Sequence, residues 1–240
     1  MPATGRLRRP ILCRLVNALL RRFVELIEAD LATAGFVRRG PVFRYFDAEG
    51  NGIALDIQRT TALRGEVEFF VNVGVLLAPH LRYYFGPDDP SLDAMPHHSV
   101  WQHRLVATDD TAELPDHTFS LSSPADVERA AAIVLTWLAA NLPRLKSWLG
   151  GYDAMITAID EDRRQSARAR EEQLACGEWK AGRWPDGSWN EGIIRVFAYA
   201  ERGDVEAVAA ETAGWYDSGQ DSLAADALAL AGQRRTERQG

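Results

Sequence analysis

Two neighbouring segments in the middle of the sequence carry apolar side chains at every second position. In GIALDIQR these are Ile53, Leu55 and Ile57, and in EVEFFVNVGVLL they are Val67, Phe69, Val71, Val73, Val75 and Leu77. Successive side chains of a strand point to opposite faces, so the spacing predicts two strands with one buried, odd-numbered face. The short link TTALRG favours a hairpin, in which directly opposed residues have numbers whose sum is even.

Helical patterns flank these strands. Apolar residues recur at helical spacing from just after Pro10 to about Ala34, and Gly35 is expected to end this helix. Ser123 marks the start of a second long helix, which Pro143 is expected to kink or restart. Further strands are predicted in PVFRYFD, HRLVAT and HTFSLS. The predicted fold class is α+β, an antiparallel sheet of about five strands with two long helices packed on one face.

The character of the sequence changes after Gly151. We predict an α+β domain over residues 1–151 and a helical C-terminal extension over residues 152–240, with a loop rich in glycine and tryptophan between its helices. Four tryptophans lie in this extension, and they are expected either to anchor the loop against the domain, which we favour, or to mark an interface. They are Trp179, Trp184, Trp189 and Trp215.

Charge and composition restrict the partners. The net charge of −7 disfavours a nucleic-acid partner, because such a partner requires a basic face on the protein. The alternative is that nucleic acid binds to the N-terminal arginines, which are Arg6, Arg8, Arg9, Arg14, Arg21 and Arg22. No stretch approaches the ~20 apolar residues of a membrane span, so no membrane partner is expected. Two distant cysteines fit a reducing cytoplasm, and the preference for arginine over lysine indicates a bacterial protein.

The segment MPHHSVWQHR holds three of the five histidines. If it is extended, His97 and His103 lie about 20 Å apart, too far to share a cation. A metal site would need a loop that returns Asp88, Asp89 or Asp93 to His97 or His98. We therefore favour the approach to a strand, with Trp101 packed inward, the histidines exposed and no cofactor. The alternative is a divalent-metal site formed by Asp89, Asp93, His97 and His98.

The even-numbered face of the predicted sheet is the better candidate for function. It would carry polar groups beside an aromatic ring, at Arg44, Asp56, Gln58, Phe70 and Asn72. A one-sided antiparallel sheet often leaves such a face to water. The functional alternative is a surface that recognises a peptide, a protein or a small polar ligand.

The runs GFVRRGPVFRYF, IALDIQR, FFVNVGV and WQHRL together resemble a bacterial family catalogued as domain of unknown function 4304, over roughly residues 15–150. The resemblance is carried by helix-end, strand and turn signals at Gly35, Phe36, Arg38, Gly40, Phe43, Gln58, Asn72 and Gly74. It implies a compact α+β domain. It implies no activity, cofactor or catalytic residue.

The familiar catalytic signatures do not occur: the sequence lacks GxSxG, GxxxxGK, GxGxxG, HExxH and CxxC. An enzyme is therefore the less favoured interpretation. We expect a non-catalytic cytoplasmic domain that binds a protein partner, similar in type to the immunity proteins that neutralise toxins. The alternative is a metal-dependent hydrolase or metal-binding protein that uses the segment from Asp88 to His103.

Overall fold

The computed structural model describes residues 9–60, 67–85, 93–107, 117–176, 188–213, 215 and 221–240. Within these ranges the chain forms seven α-helices, seven strands and a short 3-10 helix over Pro96–His98. In chain order the elements are α1 (Arg9–Thr33), β1 (Val37–Arg39), β2 (Val42–Phe46), β3 (Gly52–Arg59), β4 (Val67–Leu76), α2 (Ala78–Phe85), β5 (Trp101–Arg104), β6 (Phe119–Leu121), α3 (Pro124–Leu149), α4 (Tyr152–Cys176), β7 (Ser188–Trp189), α5 (Glu191–Glu201), α6 (Val205–Thr212) and α7 (Asp221–Gln239).

The described strands form one sheet in the hydrogen-bonded order β1-β2-β3-β4-β5-β7, with β6 paired to β4. The predicted α+β class is confirmed, and the strand count is two higher than expected. The additional strands are β1, whose Val37 is 70% exposed, and β7, which has two residues. Neither is long enough or apolar enough on one side to produce an alternating pattern.

The odd-numbered residues of β4 lie in the core, as the sequence predicts. Val67, Phe69, Val71 and Val73 are all completely buried. The Phe69 ring lies 4.8 Å from that of Phe23 on α1 and stacks at 5.3 Å on Phe119 of β6. Next to the hairpin link, the Thr60 N–H donates to the Glu68 carbonyl at 2.9 Å, a pair whose numbers have an even sum.

The helix boundaries follow local chemistry. Gly35 has a φ of 92°, and this left-handed conformation ends α1 and lets the Phe36 N–H donate to the Leu31 carbonyl at 2.9 Å. The Asp126 N–H donates to Ser123 Oγ at 3.3 Å, which confirms the predicted start of α3. Pro143 lies inside α3 and does not restart it, because buried side chains such as Trp148 hold the turns that follow.

The chain divides into two compact units. The first unit holds the described residues of Met1–Tyr45, Leu55–Val73 and Arg104–Pro143. Its core is formed by the odd face of the sheet, by the inner face of α1 and by the first turns of α3, where Val127, Ala131 and Val134 are buried.

The second unit holds the described residues of Phe46–Ala54, Gly74–His103 and Arg144–Gly240. Helix α5 contacts α4, α6 and α7, and α7 also contacts α2. The extension contributes to the sheet as well, since Trp189 of β7 lies opposite Trp101 of β5. These units do not follow the boundary at residue 151, and the division into a domain and an extension stays a prediction.

Candidate binding surface on the sheet

The five residues predicted to form the even face fall into two groups in the first unit. Arg44 and Asp56 are only 8% and 7% exposed, and neither is without a partner in the chain. Gln58 is exposed, and Phe70 and Asn72 are half-buried. The accessible part of the predicted surface is therefore formed by Gln58, Phe70 and Asn72.

Asn72 connects two neighbouring strands through its side-chain amide. Its Nδ2 donates to Gln58 Oε1 on β3 at 3.0 Å. Its Oδ1 accepts from Arg104 Nε on β5 at 2.9 Å. The two bonds determine which way the amide faces, because only its oxygen accepts and only its nitrogen donates. Side chains from three strands are thus held in one network.

Arg104 also packs on the aromatic ring of this face. The guanidinium carbon lies 4.1 Å from the centroid of the Phe70 ring, within the range of a cation–π contact. Arg104 is itself exposed. We call the set Gln58, Phe70, Asn72 and Arg104 the Arg104 face.

Arg104 is not among the residues that the sequence predicts for the even face. A signal was present, because Arg104 is an even-numbered, charged residue of the strand predicted in HRLVAT. The contact of Arg104 with Asn72 depends on the pairing of β5 with β4. The sequence contains no signal that predicts the pairing of these two strands.

A carboxylate lies on the same strand, two residues before Phe70. Glu68 is half-buried, and its Oε2 accepts from the Thr60 hydroxyl at 3.4 Å. No described carboxylate forms an ion pair with Arg104, whereas Arg38 pairs with Glu28 at 2.9 Å. The positive charge of the Arg104 face is therefore not neutralised by a described acid.

The histidine segment forms a turn followed by a strand. His97 and His98 belong to the 3-10 helix, and β5 begins at Trp101, which is completely buried as expected. His98 Nδ1 accepts from the Met95 N–H at 3.1 Å, and its ring packs edge-on against Phe85 at 4.7 Å. His98 therefore has a packing role in the second unit.

His80 of α2 is buried beside this turn. Its ring lies 5.0 Å from that of Tyr84. Burial, reinforced by the neighbouring His98, lowers the pKa of His80 from 6.5 to about 4. The imidazole is therefore neutral at physiological pH.

A cleft of about 320 Å³ opens in the second unit between α2 and the β5–β7 pair. Its lining includes His80, Tyr84, Gln102 and Glu191. The Glu191 carboxylate accepts a hydrogen bond from Arg163 and lies 3.9 Å from Arg195. The carboxylate of the cleft is thus already balanced by arginine.

The proposed metal ligands are only partly described. Within the described ranges, no group of three or more His, Cys, Asp or Glu side chains is arranged to hold a metal ion. Asp88 and Asp89 lie outside those ranges, whereas Asp93 is exposed. The metal alternative stays a prediction.

One of the four tryptophans of the extension, Trp189, packs against two tryptophans that precede residue 151. The Trp189 ring lies 4.7 Å from that of Trp148 and 6.0 Å from that of Trp101, all within the second unit. Trp215 is half-buried, and Trp179 and Trp184 lie outside the described residues.

Comparison with known proteins gives no relative. No protein-family model, curated protein or solved structure matches the chain. The resemblance to domain of unknown function 4304 therefore stays a prediction. Of the part of the chain that the structure describes, no helix is both long and apolar enough to cross a membrane.

Proposed function

We propose that this chain is a non-catalytic binding domain that holds a protein partner on the Arg104 face. The observation that carries the proposal is the stacking of the exposed Arg104 guanidinium on Phe70. Arginine and aromatic residues dominate the energetics of protein interfaces, because each offers a large contact area together with a directional polar or π contact. The proposal requires no cofactor.

The network supports the proposal because it orders the face before binding. Ordering a long side chain at an interface costs about 0.5–1.5 kcal/mol. Arg104 is already held by the Asn72 amide at 2.9 Å and by the Phe70 ring. A partner would therefore meet a side chain whose conformational entropy has largely been lost on folding.

The setting we propose is the bacterial cytoplasm. The two cysteines are far apart in the sequence, and nearly all basic residues are arginine. Immunity proteins that neutralise toxins are similar in their acidic charge and in their lack of catalytic motifs. By analogy with them, we propose a protein partner and not a nucleic-acid partner.

The test is affinity capture from the native host with the full chain and matched variants. The face variants are Phe70→Ala and Arg104→Gln. We expect a protein captured by the wild type to be bound about 30-fold more weakly by either variant, the loss typical of a hot-spot residue. Quantitative mass spectrometry followed by titration of the purified partner measures this loss.

The control variants are Arg21→Gln and Val37→Ala. Arg21 is an exposed arginine of α1, and Val37 is an exposed apolar residue of the edge strand β1. Both should retain wild-type affinity. Equal binding by the face variants and the controls, with unchanged melting temperatures, would refute the proposal.

A further inference from the structure

We infer that the Arg104 face recognises a carboxylate, presented by an aspartate or glutamate side chain of the partner. This inference rests on the proposed function and adds the chemistry of the contact. It follows from the direction of the hydrogen bonds, the position of the unused donors and the charge of the face.

Every hydrogen bond in the network runs in the same direction. Arg104 Nε donates to Asn72 Oδ1, and Asn72 Nδ2 donates to Gln58 Oε1. Both acceptor oxygens of the two amides are therefore engaged within the face. The groups of these four residues that lack a partner are donors, and the nearby Glu68 carboxylate already accepts from the Thr60 hydroxyl.

The unused donors lie at both ends of the network. The two terminal nitrogens of Arg104 form no hydrogen bond or ion pair with any described residue. The Gln58 Nε2 group likewise has no partner in the described chain. A set of residues whose unpartnered groups are donors is complementary to a ligand rich in acceptors.

The geometry of the guanidinium favours a carboxylate. Because Nε is bound to Asn72, the remaining edge is the end formed by the two terminal nitrogens. Two parallel N–H donors match the two oxygens of a carboxylate in a bidentate pair. The Phe70 ring covers one face of the guanidinium and removes water from that side.

The same observations favour a carboxylate over a phosphate group. Phosphate recognition generally uses several cations or a helix N-terminus, which balance its double charge. Arg104 is the one cation among the four described residues of the Arg104 face, and its contacts are a neutral amide and an aromatic ring. One arginine balances one singly charged carboxylate.

The experiment selects peptides from a random twelve-residue display library on the full chain and measures the affinity of each selected peptide by fluorescence anisotropy. Peptides that occupy the face are identified by weaker binding to Phe70→Ala. We expect these peptides to contain Asp or Glu, and replacement of that acid by its amide to weaken binding about tenfold, as loss of a charge-assisted pair does.

Two variants of the protein complete a double-mutant cycle with the peptide. Arg104→Gln should lower the affinity for the acidic peptide about tenfold. In that variant, replacing the acid of the peptide by its amide should cause no further loss of affinity. Gln58→Glu keeps the shape of the side chain and replaces its outward donors by a negative charge. Gln58→Glu should lower the affinity for the acidic peptide and leave the affinity for the amide peptide unchanged.

The outcomes separate this inference from the proposed function. Face-binding peptides that lack an acid, or that bind more tightly as phosphopeptides through Arg104, would overturn the carboxylate inference and leave the binding face intact. Peptides that bind Phe70→Ala and Arg104→Gln as well as the wild type, or a library that yields no binder, would overturn both.

Discussion

Arg104 stacks on Phe70 with its guanidinium carbon 4.1 Å from the ring centroid, while its Nε donates to an amide of the neighbouring strand. Three strands each contribute to this arrangement, with Gln58 on β3, Phe70 and Asn72 on β4, and Arg104 on β5. The arrangement requires the alternation that places even-numbered residues on one face. The candidate binding surface is thus a direct consequence of the sheet.

Gly74 tests the close packing on β4 in the second unit. A Cβ at this position would lie 2.7 Å from the Cβ of Ser99 and 2.9 Å from the Cα of Pro96. Because the backbone at Pro96 cannot yield without moving the 3-10 helix, Gly74→Ala should lower the free energy of unfolding by about 1–3 kcal/mol. Urea denaturation measures the change.

Gly232 of α7 provides the matched control for that substitution. No atom lies within 4 Å of a Cβ built there. Gly232→Ala should therefore stabilise the protein by up to about 1 kcal/mol, through its helix propensity. Wild-type stability of Gly74→Ala would show that the packing between β4 and the 3-10 helix is looser than described.

His80 predicts a pH dependence of stability. Its pKa is lowered from 6.5 to about 4 in the folded protein, so the unfolded chain takes up the proton first as the pH falls. The contribution of His80 to the free energy of unfolding is fully present above pH 6.5 and is lost as the pH falls towards 4. The total contribution is on the order of 3 kcal/mol. Denaturation at several pH values measures the slope.

The His80→Asn variant removes the titrating group. It should flatten the dependence of the unfolding free energy on pH between 6.5 and 5, above the range where carboxylates titrate. Val37, an exposed residue of β1 that does not titrate, is the control, and Val37→Ala should keep the wild-type slope. A slope that His80→Asn does not change would contradict the assignment.

Asp126 predicts a second dependence at lower pH. Hydrogen bonds from Ser122 and Ser123, aided by Arg129, hold the pKa of Asp126 well below its usual value of 3.8. A carboxylate with a depressed pKa stabilises the fold above the unfolded pKa, and this effect disappears as the pH falls through the folded pKa. Asp126→Asn should lower the melting temperature at pH 6 and have a smaller effect at pH 2.5. An equal effect at both pH values would contradict the ionic origin.

The extent to which the sequence predicts the structure depends on the length of each pattern. The odd-numbered core of β4 and the start of α3 at Ser123 are confirmed because each rests on several consecutive residues. The strands β1 and β7 were not predicted, because three and two residues carry no measurable period.

The candidate site was predicted in part for a related reason. The alternation of residue numbers placed Gln58, Phe70 and Asn72 on one face of the sheet. Alternation does not predict how deeply a residue of that face is buried. Arg44 and Asp56 share that parity and are buried. Arg104 was missed because its place beside Asn72 depends on the order of the strands, which alternation does not specify.

The most direct test of the central claim is the mobility of the Arg104 side chain, measured by ¹⁵N relaxation of arginine Nε–Hε groups in the free protein. We predict an order parameter above about 0.6 for Arg104 and a lower value for the exposed Arg21. In the variants Asn72→Ala and Phe70→Leu, the order parameter of Arg104 should fall to that of Arg21. A wild-type Arg104 as mobile as Arg21 would contradict the account, since the face would then not be ordered before it binds.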